Sequence, residues 1–183
     1  MNIDKIINYV IQFQNMKYVL AHDSDFRILD GPPFWNTNTP PKDINFIKTK
    51  GSCCTGLPNL VRRYIGLEIP GNIKGFQIHE CVGGTDAWFK YLNNTNRLEK
   101  IDSTKIYPKG TLLVQNYNKN DQGHLAILID SDKFLYKSNI IHNINGIWNN
   151  KKYNSTVIEK FKDYPYNTRF THICLANNWL KKN

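Results

Sequence analysis

Residues 51–66 read Gly-Ser-Cys-Cys-Thr-Gly-Leu-Pro-Asn-Leu-Val-Arg-Arg-Tyr-Ile-Gly. Leu57, Leu60, Val61, Tyr64 and Ile65 recur at helical spacing and Gly66 stops the run. Pro58 is tolerable only inside a first turn, so the spacing predicts a helix that begins at the cysteine pair. Upstream, Asn2 or Asp4 can cap an amphipathic helix through Ile6, Ile7, Val10, Ile11 and Phe13, ending near Asn15. Downstream, Thr85 or Asp86 can cap a short helix through Trp88, Phe89 and Leu92. Beyond residue 100 the pattern changes to β-rich runs, Gly110–Gln115, His124–Ile129, Phe134–Tyr136 and Phe170–Leu175. Turn-forming clusters at 116–123 and 130–133 separate them, as an antiparallel meander requires. Helices first and strands later predict an α+β fold.

A chain of 183 residues suits one domain, and 40% hydrophobic with 13% aromatic content is too high for a disordered chain. The net charge of +9 makes it basic, but the 24 asparagines dispersed among many Lys and Ile look like a coding bias, which inflates charge without implying a partner. Lys151-Lys152 and Lys181-Lys182 read as short solvated pairs and form no nucleic-acid motif. From His22 to Lys50 the chain carries Gly31-Pro32-Pro33 and Pro40-Pro41, which predict a long loop, a Pro-rich insertion at about 22–50. Cys53 and Cys54 are adjacent while Cys81 and Cys174 are isolated, so neither a disulfide framework nor zinc spacing is present; reduced thiols and no metal or cofactor are expected. The segment MNIDKIINYVIQF lacks a basic leader and a cleavage site, and no stretch reaches the ~18 apolar residues of a membrane span. The expectation is a monomer without a membrane or nucleic-acid partner, cytoplasmic or otherwise lacking a conventional signal peptide.

Cys54 lies where a loop enters a helix, and there the unpaired N–H groups and the helix dipole favour a thiolate. A small buried hydrophobe is the plainer role for such a residue. His124 follows Gly123 and opens an apolar strand, so its imidazole is expected at a sheet edge, within reach of a helix end. Together they suggest a nucleophile and its base.

These residues also carry a resemblance. Cys53-Cys54-Thr55-Gly56-Leu57 resembles the Asp-Cys-Ser-Gly-Leu/Phe motif of the NlpC-type cysteine peptidases, in the papain-like superfamily. Tyr107-Pro108-Lys109-Gly110-Thr111-Leu112-Leu113-Val114 resembles the family's Pro-Gly-Asp-Leu-Val strand, and Gly123-His124-Leu125-Ala126-Ile127-Leu128-Ile129 its Gly-His-Val-Gly-Ile strand. Lys17-Tyr18-Val19-Leu20-Ala21 resembles its Pro-Tyr-x-x-Gly segment. The resemblance spans roughly residues 5–145. It implies a papain-like fold with the nucleophile helix on an antiparallel sheet, Cys54 as nucleophile, His124 as general base, and Tyr18 organising the nucleophile and oxyanion. It also implies a third polar group on the next strand to orient the imidazole. His142 matches by residue type, and Ser138 or Asn139 by spacing. The implied substrate is a peptide with D-amino acids, as in peptidoglycan cross-links, a polyanion that suits a basic surface. This chain has Cys53 in place of the motif Asp, Thr111 in place of the strand Asp, and Ala21-His22 after the Tyr segment. An acyltransferase or amidase on the same pair, and a silent basic binding domain, are the rival expectations. His22, His79 and His172 read as structural, and Trp35, Trp88, Trp148 and Trp179 as core rather than a ligand platform. A vicinal Cys53–Cys54 disulfide is a further reading of the cysteine pair.

Overall fold

In a computed structural model, residues 2–19, 43–71, 73, 82–116, 123–148 and 150–182 are described. The Asn2 side chain accepts the Lys5 N–H and starts α1 (Ile3–Ile11), which buries Ile6, Ile7, Tyr9 and Val10 on one side. Turns follow to Asn15, whose φ of 66° ends the segment in the left-handed region that Asn tolerates. A helix that the prolines had obscured, α2 (Ile44–Lys50), occupies the end of the stretch expected to be loop. Asp43 supplies its start by accepting the N–H groups of Asn45 and Phe46. Both proline clusters lie outside the described residues. The next helix, α3 (Gly56–Tyr64), begins just past the cysteine pair, with Pro58 in its first turn, where no intrahelical N–H is lost. Gly84 precedes α4 (Thr85–Asn94), and α5 (Ala176–Trp179) closes the chain.

The strands β1 (Glu99–Lys100), β2 (Leu112–Gln115), β3 (His124–Leu128), β4 (Asn139–Trp148), β5 (Lys151–Lys160) and β6 (His172–Cys174) form one antiparallel sheet in the order β1-β6-β2-β3-β4-β5. The meander from β2 to β5 follows chain order, and β6 returns to separate β1 from β2. Phe134–Tyr136 is not a strand: Leu135–Lys137 forms a 3-10 turn and β4 starts only at Asn139. Phe134 and Tyr136 stack on one another at the surface, with Lys137 against both rings, so the apolar run serves a turn and not a sheet face. The long β4–β5 hairpin turns at Asn150, at φ 61°.

Alternation along the strands divides the core. Leu112, Val114, Leu125, Ile127 and Ile141 face the helices, joining Val10, Leu57, Leu60 and Trp88. Leu113, Ala126, Leu128, Ile140 and Ile144 face the other way, under Tyr107, Phe161, Tyr164 and Phe170. Both faces are covered, which is why the β2 and β3 sequences run continuously apolar. Trp88 and Trp179 meet edge to face at 5.9 Å inside the helical layer, each indole N–H bonded, to Asn59 Oδ1 and to the Gly110 carbonyl. They are core residues; Trp35 lies outside the described residues. The architecture is α+β, and no described helix is long and apolar enough to cross a membrane.

Candidate active site

The cysteine pair is delivered by the edge of the sheet. Residues 16–18 run along β5: the Thr156 N–H donates to the Met16 carbonyl and the Tyr18 N–H to that of Asn154. Tyr18 in turn bridges in parallel to Ser52, with the Ser52 N–H donating to Lys17 O and the Val19 N–H to Ser52 O. Buried Asn143 of β4 clamps the same carbonyl, its Nδ2 donating to Ser52 O at 2.7 Å. The chain then passes through Cys53 and Cys54 into α3. A Cβ on Gly56 would stand 1.4 Å from Ser52 Oγ, so only glycine lets the helix start this close to the strand that feeds it.

Cys53 is 8% exposed and Cys54 half-buried. The Cys53 sulfur lies 3.2 Å from Thr55 Oγ1. Its thiol is pulled down to about 7, first by the hydrogen bond with Cys54 and, against the opposing cost of burial, by Thr55 and nearby backbone. The Tyr18 phenol is pushed the other way, by burial first and then by the neighbouring thiols of Cys54 and Cys53. It therefore keeps its proton and stays a hydrogen-bond donor beside the cysteines.

A second group of side chains sits on β3, β4 and β5. His124 Nε2 lies 2.8 Å from His142 Nδ1, and His142 Nε2 lies 2.8 Å from Glu159 Oε1. The Tyr153 hydroxyl donates to the other carboxylate oxygen at 3.3 Å. The register explains the line-up: Glu159 pairs with Ile140 and Val157 with His142, so Glu159 and His142 are diagonal neighbours on one sheet face. Tyr164 and Phe170 pack against His124 and exclude water from it. Burial, reinforced by the neighbouring His142, holds the His124 pKa well below the usual imidazole range. Burial also lowers that of His142, opposed by Glu159.

The protonation pattern follows from the partners. A carboxylate only accepts, so His142 Nε2 carries a proton toward Glu159. Neutral His142 then offers a lone pair at Nδ1, which accepts the His124 Nε2–H. His124 is left with a bare Nδ1, the form a general base needs. Of the three residues considered as orienter, His142 is the one bonded to His124. Ser138 Oγ instead accepts the Asp132 N–H, and Asn139 is bonded to Asp130. Sequence reasoning missed Glu159, which sits as an ordinary acidic residue in the polar run Lys151–Lys160; only the hairpin register brings it to His142.

Tyr18 with the cysteines, and His124 with His142 and Glu159, are thus two groups built on shared strands. The imidazoles lie on the sheet face away from α1 and α3, whereas the cysteines belong to the helical side. Adjacent residues join them: His142 holds His124 on one face while Asn143 holds Ser52 on the other. The β3–β4 ladder pairs Ile127 with Ile141 and Leu128 with Ile140, short of the ends that carry His124 and Asn143, and α3 packs against both strands. Among the described residues no cluster of three His, Cys, Asp or Glu side chains is arranged to hold a metal. His172 is bonded to Thr171 Oγ1 and edges onto Phe89, and His22 and His79 lie outside the described residues. The chain matches no protein-family model, no curated protein and no solved structure.

Proposed function

We propose that the protein is an NlpC-like cysteine peptidase or amidase that cleaves an amide bond with Cys54 as nucleophile and His124 as base. The observation that carries this reading is the relay His124–His142–Glu159, whose hydrogen bonds leave His124 Nδ1 bare and back it with a carboxylate. In the reaction His124 Nδ1 takes the Cys54 proton and sulfur attacks the carbonyl carbon, a step that requires the two side chains to meet at the end of β3 and β4 beyond the ladder pairs Ile127–Ile141 and Leu128–Ile140. The Cys54 N–H at the start of α3 and the protonated Tyr18 hydroxyl steady the oxyanion. His124, now an imidazolium, returns the proton to the leaving amine, and water repeats the cycle on the thioester. The positive charge that His124 gains lies in line with Glu159, in a site walled by Tyr164 and Phe170 where such attraction is little screened.

The substrate proposed is a peptide of the bacterial cell wall. The motif resemblance supports it, and a net charge of +9 favours a polyanionic polymer. Incubation with cross-linked muropeptides, followed by mass spectrometry of fragments and protein, tests this. Cleaved peptide and a thioester on Cys54 are expected, both absent in Cys54→Ala. Intact muropeptides beside active turnover of simple amides would reassign the substrate, and inertness toward every amide would remove the hydrolase.

A further inference from the structure

Cys53 and Cys54 are consecutive thiols hydrogen-bonded to each other, and only Cys54 is partly open to solvent. A nucleophile at Cys54 has no need of a second thiol buried beside it, where any small apolar side chain would pack. Thr55 Oγ1, 3.2 Å from the Cys53 sulfur, is placed to donate to a thiolate there. We infer that Cys54 is a site of reversible oxidation by hydroperoxides, with Cys53 as the resolving thiol that closes a vicinal disulfide.

The chemistry balances in two steps. The Cys54 sulfur attacks a peroxide oxygen, the O–O bond breaks, sulfur is oxidised to the sulfenic acid, and the reduced fragment takes up a proton and leaves as an alcohol, or as water from hydrogen peroxide. The Cys53 sulfur then attacks that of Cys54; the S–S bond forms, the S–O bond breaks, and hydroxide leaves as water with the Cys53 proton. Two thiols and one peroxide become one disulfide, one alcohol and one water. Thr55 Oγ1 and the nearby backbone, which help to pull the Cys53 thiol down, stay in place once Cys54 is oxidised and favour the Cys53 thiolate in the second step. Cys174, buried and pushed up to about 12, is a poor competitor. Adjacent Cα atoms stand ~3.8 Å apart, short of the usual disulfide span of ~4.4–6.8 Å, so the bridge is strained and readily reduced by a dithiol. Oxidation of this kind blocks the nucleophile and shields it from irreversible over-oxidation.

The test treats the whole protein with one equivalent of hydrogen peroxide, alkylates the remaining thiols, and maps peptides by mass spectrometry without reduction. The wild type should lose the mass of two hydrogens on the peptide holding both cysteines, and dithiothreitol should restore it. Cys53→Ala and Cys53→Ser should instead capture dimedone at Cys54. A wild type that yields Cys54 sulfinic acid or a dimedone adduct as readily as Cys53→Ala overturns the inference, as does a bridge from Cys54 to Cys81 or Cys174. The wild-type readout requires no variant to fold. It reports sulfur oxidation and not amide cleavage, so its failure and that of the peptidase proposal are distinguishable.

Discussion

Replacing Glu159 by glutamine removes the charge that ends the imidazole relay and almost nothing else, since Gln has the same shape and can still meet the Tyr153 hydroxyl. The carboxylate admits one hydrogen-bond direction, from His142 Nε2 to Oε1. The Gln amide can donate as well as accept. When it donates, His142 must carry its proton on Nδ1 and point it at His124 Nε2, which moves the remaining proton of His124 onto Nδ1 and disarms the base. Charge is lost too. Two 2.8 Å hydrogen bonds and the width of an imidazole put the His124 imidazolium about 7 Å from the carboxylate, and at an effective dielectric of ~20 their attraction is about 2 kcal/mol. Turnover in Glu159→Gln should therefore fall roughly 30-fold, with a further loss from the wrong tautomer. Long-range proton–nitrogen NMR correlations report the cause directly: in the wild type both His124 and His142 should be neutral with the proton on Nε2, and in the variant a population with the proton on Nδ1 should appear. A wild-type His142 protonated on Nδ1, or a variant with unchanged turnover and tautomers, would refute the relay.

The low pKa of His124 should carry the acidic limb of the activity profile below the ordinary imidazole value of ~6.5, since the base stays neutral until then; a limb at or above that value in kcat/KM would contradict it. The same shift makes stability pH-dependent. The unfolded chain binds protons that buried His124 and His142 refuse, so their contribution is complete above ~6.5 and is lost as pH falls from there toward their folded-state values, measurable as a urea midpoint that drops over this window. Gly56→Ala drives a Cβ into Ser52 and should destabilise the fold by ~1–3 kcal/mol while slowing acylation of Cys54; a urea midpoint equal to wild type would show that α3 can start elsewhere. Asn143→Ala removes a buried donor to the Ser52 carbonyl, with an expected cost of ~1–3 kcal/mol in the same assay.

Where a periodic apolar pattern coincides with a burial face, the sequence was legible. The α1 stripe is buried in the helical layer, and the apolar runs at 112–115 and 124–128 are paired strands. The failures occur where pattern and burial part company. Phe134 and Tyr136 look like strand residues but stack on a lysine-flanked surface turn, and the polar Lys151–Lys160 looks like surface loop although it pairs along its whole length with β4. Missing that hairpin hid Glu159, because the diagonal contact to His142 exists only in its register. Asn143 was equally hidden, since an asparagine in an Asn-rich chain gives no sign that it holds a carbonyl beside the cysteine pair. His142 was legible only in part: residue type in the motif resemblance pointed to it while spacing left Ser138 and Asn139 open, and the hydrogen bond to His124 is what separates the three.

Whether Cys54 and His124 work as one unit, although their side chains arise from opposite sides of the sheet, can be read with an activated ester that needs no substrate recognition. Wild type and His124→Ala are mixed with p-nitrophenyl acetate, and the acetyl group is located and timed by mass spectrometry. If they do, acetyl on Cys54 turns over in the wild type and persists in His124→Ala, with release slowed by ~100-fold or more, the usual worth of a general base. Acetyl on Cys53 in place of Cys54, or release from Cys54 equally fast in both proteins, would contradict it.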